Sequence, residues 1–504
     1  MTSSTSHQAG VVDMAVDGDA SQQAATPSSG GGPPPPPSSS ALQQAEAMSA
    51  AAKSKYEQRI FSDAMTLYSK AIAIAPSVPT YYLNRAATHY MLGSYADAVA
   101  DCTTALSCDP TSTTVLVKAH RRMSKCHVER GEYAKARDVL QSASAADASA
   151  AHELRSDLAV ASQMAEWQAE GEAAMGQGEY SVARAFFANT LQKTNAPRTR
   201  LSLCRAELAL GLCDPVLRTC RELIKADGNA VEAYVLRAVA LLYSHDLEQA
   251  RKHLREALRL DPDHPEGART LKLVRKLEGF LDTAKSAYNR RDFAGARDAY
   301  TAAMEAANLP QHAPLSATMH AERGACQLRL REYEHALRDA TVALYAQDDC
   351  KSAWVTKAAA LQALGRHEQA IRELEPIMQT LGNDAQISGA YNRAVFEVRR
   401  ARRPDYYGLL QVPSIASALE IKGAYKARAL ECHPDRMSDA SAEQKAHAEA
   451  SFKLLGEALE MLTDDFKRKL WDEGYDKEAI EERVRAAERA AREEPRGHHH
   501  HHHH

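Results

Sequence analysis

The stretch CTTALSCDP, Cys102 to Pro110, closes a segment in a way that recurs along the chain. YSKAIAIAP (Tyr68 to Pro76) and LREALRLDP (Leu254 to Pro262) close in the same manner. Proline has no amide hydrogen and halts a helix, so each run reads as a helix followed by a stop. Upstream of each stands an aromatic or apolar residue with an alanine three places on: Phe61/Ala64, Tyr95/Ala98 and Leu247/Ala250. Aligning the chain on this pair gives nine copies, starting at residues 45, 79, 117, 164, 197, 231, 277, 317 and 351.

Several of these intervals equal the 34-residue length of one helix–turn–helix unit. Small residues let the two helices of a unit approach closely. Alanine holds the first small position of the second helix at Ala64, Ala98, Ala136, Ala183, Ala250, Ala296, Ala336 and Ala370, and only Val216 departs. The pattern resembles the tetratricopeptide repeat (TPR). The intervals 117–164 and 231–277 are long, and their extra residues are helix-like, which predicts extended helices there. They divide the repeats into three triplets. The fifth repeat, LALGLCDPVLRTC, carries the weakest signal.

Composition agrees with an all-α fold, since strand-forming runs are scarce. Lys+Arg number 62 and Asp+Glu 66, so the formal charge is −4 and no global field points to nucleic acid or membrane. The nine cysteines form no CxxC pair and read as reduced, packed thiols of a cytoplasmic protein, with nuclear access open. No apolar run approaches membrane-spanning length, and no basic-then-apolar signal opens the chain. Residues 1–40 are rich in Ser, Ala, Gly and Pro and are expected to be a disordered leader, with Pro33–Pro37 as a stiff stretch or a polyproline ligand. His498–His504 read as an affinity tag.

After the repeats comes a helical segment, SGAYNRAVFEVRRARRPD, with cations at Arg399, Arg400, Arg402 and Arg403. Contact with nucleic acid is one reading. A solvated helix end, where cations suit the dipole, is preferred. Beyond Pro404, Ile421, Ala424, Tyr425 and Ala429 line one face of a helix, and Lys422, Lys426 and Arg428 lie largely off it. Phe452, Leu455, Ala458, Leu459 and Leu462 form a second stripe. Two such helices make an antiparallel hairpin, with His433-Pro434-Asp435 of LECHPDRMSD at its tip.

Here the chain resembles a J domain. The matching residues run from Asp405-Tyr406-Tyr407 through Ala424-Tyr425-Lys426, His433-Pro434-Asp435-Arg436 and Phe452-Lys453 to Glu457-Ala458, Leu462 and Lys467-Arg468. With the repeats ahead of it, the whole resembles the class C J-domain co-chaperones that carry TPR arrays. There are departures: Gly423, Ala427 and Glu431 stand where cations are common in the family. Residues 404–475 hold nine Lys+Arg and thirteen Asp+Glu, a formal charge of −4.

The resemblance implies a function. The loop His433-Pro434-Asp435 would engage heat-shock protein 70 (Hsp70) and stimulate ATP hydrolysis in that partner, with Asp435 pairing an arginine and His433 orienting the loop. Lys422, Lys426 and Arg428 would form the docking stripe. The TPR array would bind client proteins or the C-terminal carboxylates of Hsp70 or Hsp90. In the first triplet, Asn84, Lys118 and Arg122 match three of the five positions of the family's carboxylate clamp. Ser49 and Lys53 replace the other two, and Lys53 supplies charge from a shifted site. In the third triplet the same positions hold Leu281, Lys285, Glu322, Ser352 and Thr356, and none matches.

The chain shows no P-loop lysine, no metal-spaced His/Cys set and no serine elbow, so it is expected to be an activator without cofactor or metal, not an enzyme. The main alternative is a TPR scaffold with a non-functional J domain. An acid–base enzyme using His433 and Asp435 lacks any evident pocket or nucleophile. The expected organisation is a leader (1–40), TPR triplets at 41–150, 151–276 and 277–384, a basic helical linker (385–403), the J domain (404–475), a charged helix or tail (476–497) and the tag (498–504).

Overall fold

A computed structural model describes Val16, residues 35–436 and residues 438–493. Among these residues every regular element is helical. The chain divides into two compact units, Met1–Leu281 with Ala303–Ser316, and Asp282–Ala302 with Ala317–His504.

The nine helix pairs are present. The first three are Ser39–Glu57 with Phe61–Ile74, Pro79–Met91 with Tyr95–Cys108, and Thr113–Glu129 with Tyr133–Ala146. Then come Arg155–Gly176 with Tyr180–Leu191, Pro197–Ala209 with Cys213–Ala226, and Val231–Tyr243 with Leu247–Leu260. The last three are Pro265–Asn289 with Phe293–Ala307, Pro314–Arg329 with Tyr333–Ala346, and Lys351–Ala363 with His367–Leu374. The two long intervals do hold extended helices, of 22 and 25 residues, with a short helix Ala148–Glu153 before the first.

The small position is buried in every pair. Each of the eight alanines, and Val216 in the fifth pair, is at most 1% exposed. In the fourth pair, Gly171 lies so close to Phe187 that a Cβ there would come within 2.6 Å of the ring. A feature the sequence reading missed joins the helices: each pair turns through one left-handed residue. It is glycine at 93, 131, 178, 211 and 365, but Arg59, His245, Arg291 and Arg331 in the others, with φ between 59° and 77° throughout. A side chain in this region costs about 1–2 kcal/mol, so four turns are held against local preference by the helices they connect.

Within the eighth pair, the Arg323 guanidinium makes a two-pronged ion pair with Asp339, both bonds 2.7 Å, and His320 joins at 3.1 Å. Burial pushes the Asp339 carboxyl up, but the bonds from Arg323 and His320 outweigh it and hold it below its usual range. Arg85 and Asp101 repeat this arrangement in the second pair.

Six cysteines (Cys102, Cys126, Cys204, Cys213, Cys220 and Cys326) are buried and none forms a disulfide. Burial pushes Cys102 and Cys126 up to about 12 and Cys326 up to about 11. No helix among the described residues is long and apolar enough to cross a membrane.

One expectation needs correction, and another falls mostly on residues that are not described. The segment 385–403 is not a linker. Its helix Ala385–Arg402 buries Ile387, Ala390 and Ala394 against the ninth pair and closes the end of that stack. The apolar residues fall at i, i+3 and i+7 beside the arginines, one face of a packed helix. The leader lies mostly outside the described residues, but Val16 is buried. The first helix begins at Ser39, where Ser38 caps it by accepting the Ala41 amide at 3.2 Å.

Candidate functional site

Two places gather the expected residues. The first is the helical hairpin near the C-terminus, Ala418–Glu431 and Ala442–Thr463. Both helices open with a reciprocal capping box, Ser417 with Glu420 and Ser441 with Gln444, which fixes where each begins. Ile421 packs with Leu455, Ala458 and Leu462, and short helices Tyr406–Leu410 and Asp465–Glu473 close the core. Tyr406 stacks on Trp471 with ring centres 4.2 Å apart. The helix Lys477–Glu493 adds Ile480 to this core, so the charged C-terminal segment is partly structural.

This packing leaves the tip open. Pro434–Arg436 forms one tight turn, in which the Arg436 amide donates to the His433 carbonyl at 3.0 Å. His433 Nδ1 accepts the Asp435 amide at 3.3 Å, and its ring stands edge-on to Phe452 at 6.3 Å. The histidine therefore braces the loop. The Asp435 side chain is 90% exposed and projects into solvent. This turn presents one exposed carboxylate, 3.4 Å from His433 Nδ1, and suits recognition by a cation on another molecule.

Lys422 and Lys426 are exposed on the first helix, as expected. Arg428 differs from them: its guanidinium donates to Gln411 at 2.9 Å and pairs with Glu431 at 3.2 Å. The stripe has members the sequence reading passed over. Leu419 and Leu430 are 82% and 56% exposed and share the lysines' face, and Ile415 is 89% exposed just ahead of that helix. The signal was available, because both leucines fall off the Ile421 stripe. The face is thus apolar and cationic together.

The arginine cluster is part of a seam. Arg399 pairs with Asp476 at 2.8 Å, and Phe396 meets Tyr475 edge-on at 5.1 Å. Arg403 lies over Trp471. The hairpin domain is docked on the helix Ala385–Arg402 by these contacts, and neither of the two sequence readings of the cluster describes that role.

The second place is the wall formed by the first helices of the first three pairs. They carry Lys53, Asn84, and Lys118 with Arg122, respectively. Arg122 is 6% exposed and donates to the Leu83 carbonyl at 2.9 Å, which sets it beside Asn84. The Tyr56 phenol, one turn past Lys53, is pushed up by burial and held back by the Arg122 charge. Arg122 and Asn84 thus stand together, and Lys53 and Lys118 lie on the neighbouring first helices. Three cations and an amide, turned to one ligand, can hold a pair of carboxylates by charge-assisted bonds. In the later repeats Thr356 is buried, Ser352 and Glu322 are exposed, and the neighbouring Lys357 is tied to Glu373 at 2.9 Å.

Comparison with known proteins agrees with both halves. Residues 405–472 match the DnaJ domain family, and residues 49–113, 231–264 and 281–349 match tetratricopeptide repeat families. DnaJ homolog subfamily C member 7 of Mus musculus is 28% identical over 435 residues, which is 86% of this chain and 86% of that protein. DnaJ protein P58IPK homolog B of Oryza sativa subsp. japonica is 30% identical over 287 residues, 56% of this chain and 59% of that one. The crystal structure of the P58(IPK) TPR domain covers 72% of this chain and 100% of its own, at 18% identity and a TM-score of 0.44. The chain is a tetratricopeptide-repeat protein with a C-terminal J domain, similar over most of its length to DnaJ homolog subfamily C member 7.

Proposed function

We propose that the chain is a co-chaperone that stimulates the ATPase of Hsp70 and is not itself an enzyme. The observation that carries this is the braced His433-Pro434-Asp435 turn with its solvated carboxylate. Asp435 pairs with an arginine of Hsp70, and His433 keeps the turn in shape. Lys422 and Lys426 steer the approach, while Ile415, Leu419 and Leu430 add apolar contact once docked. Hydrolysis occurs within Hsp70.

The first triplet holds the C-terminal carboxylates of an Hsp70 or Hsp90 tail between Lys53, Asn84, Lys118 and Arg122. The remaining repeats receive client proteins. Coupling tail or client binding to Hsp70 activation in one cytoplasmic chain is the resulting role. The test is single-turnover ATP hydrolysis by Hsp70 with wild type and with Asp435→Asn. No stimulation by either protein would leave the scaffold reading standing in place of this one, and equal stimulation by both would remove Asp435 from the mechanism.

A further inference from the structure

The wall that carries the candidate clamp also holds a residue from far outside the repeats. Val16 is 6% exposed and packs against Ala52, Ala64, Tyr68 and Ala87, with Tyr56 and Tyr90 at the margin. Ala52 adjoins Lys53 in sequence. Ala87 lies three residues, about one helical turn, beyond Asn84, and so shares its face. Tyr56 feels the Arg122 charge. An apolar side chain from the leader therefore packs on the two helices that carry Lys53 and Asn84.

The sequence around Val16 suits that place. VVDMAVDGDA, Val11 to Ala20, sets Asp13, Asp17 and Asp19 about this valine, and no Lys or Arg precedes Lys53. The first helices of the first and third pairs carry Lys53, Lys118, Arg122 and Lys125. Charge complementarity thus favours the leader over a neutral segment. The tether is adequate: the 23 residues from Val16 to Ser39 reach up to about 75 Å when extended. A tethered ligand also faces an effective concentration on the order of millimolar, so weak intrinsic affinity is enough for occupancy.

We propose that the acidic segment centred on Val16 is an internal ligand of the first-triplet groove, which must leave before an acidic C-terminal peptide can bind. This rests on reading the groove as a carboxylate site. Occupancy by the leader lowers the apparent affinity for a tail by the fraction of molecules left open. A merely structural cap on the first repeat would give no such competition.

The test uses the full chain and a synthetic peptide of the Hsp90 C-terminus with a free carboxylate. Val16→Asp removes the apolar anchor, and Asp17→Lys reverses the charge beside it. Each is expected to raise peptide affinity in calorimetry, by about five- to tenfold if the closed form holds some 80–90% of molecules. Adding Lys118→Ala to Val16→Asp should remove the gain. In parallel, a photoreactive diazirine analogue of leucine at position 16 is expected to cross-link to the helices Ser39–Glu57, Phe61–Ile74 and Pro79–Met91 in the otherwise wild-type protein. Unchanged affinity in both variants would overturn the competition. Cross-links confined to other helices would overturn occupancy whatever the peptide does. If wild type and variants all fail to bind the peptide, the clamp reading falls, and the cross-link alone decides whether the leader fills the groove.

Discussion

The guanidinium of Arg403 lies 4.1 Å from the centre of the Trp471 ring and donates to the carbonyls of Trp471 at 2.6 Å and Tyr475 at 3.1 Å. Burial, and then the neighbouring Arg400, push its pKa down from the ordinary arginine value, which reflects a cation drawn out of water. Arg403→Ala removes a cation–π contact and two charge-assisted bonds, a loss of about 2–3 kcal/mol. The expected outcome is faster hydrogen exchange across residues 471–480 with the repeats unaffected. Arg403→Lys should recover only part, because an ammonium lacks the flat face and fork.

At the loop, His433→Gln and Asp435→Asn should each abolish stimulation of Hsp70 without lowering the melting temperature. Both side chains stand outside the core, so the fold does not depend on them. Circular dichroism melts and Hsp70 ATPase assays on the same preparations check this. Normal stimulation by either variant would refute the assigned roles.

In the groove, Lys118→Ala and Arg122→Ala should each weaken a chaperone tail peptide by about 1.5–3 kcal/mol, the worth of one charge-assisted bond. Arg122 has a second readout. Arg122 also holds the Leu83 carbonyl, so its loss should lower stability as well. Changes at Ser352 or Thr356 should leave peptide binding as it was, which calorimetry would show.

Glu431→Lys bears on docking in two ways. It adds a cation beside the loop and releases Arg428 from its partner. Both raise the positive potential of the lysine face. The association rate with Hsp70 should increase, more than dissociation slows, and the gain should shrink as salt shortens the Debye length below about 8 Å. Stopped-flow rates across a salt series would reveal it; a slower on-rate in the variant would place the docking surface elsewhere.

Acid should expose the contribution of Asp339. Its folded pKa is held below the usual value, so the carboxylate stabilises the fold above the unfolded pKa near 3.9, and that stability is lost as pH falls through the folded value. Asp339→Asn should cost about 2 kcal/mol at pH 7 in urea denaturation. The gap from wild type should narrow below about pH 4 and close once wild-type Asp339 is itself protonated. A gap constant from pH 7 to pH 3 would mean that the charge contributes nothing.

The repeats were legible because close helix crossing demands a small residue at a fixed place, and alanine marks that place in eight pairs of nine. The turns were less so. Glycine announces a left-handed residue at five of them, but Arg59, His245, Arg291 and Arg331 adopt the same backbone under tertiary constraint, and no local signal reveals it. The hairpin and its tip were readable from two apolar stripes and one proline. The seam was not. Arg399 and Arg403 find their partners 77 and 68 residues away, and a cluster of cations on a helix end looks the same whether water or Trp471 receives it.

The buried thiols have a practical consequence for watching this array come apart. With Cys102 and Cys126 pushed to about 12, fewer than about one in a thousand of either is ionised near neutral pH, and only the thiolate reacts with alkylating reagents. Labelling must wait until the helices around each thiol open. Cys102 then reports on the second repeat, Cys126 on the third, Cys204, Cys213 and Cys220 on the fifth, and Cys326 on the eighth. The partly accessible Cys108, Cys350 and Cys432 mark time zero. The order in which the others gain mass would date the opening of each repeat, with no foreign probe installed.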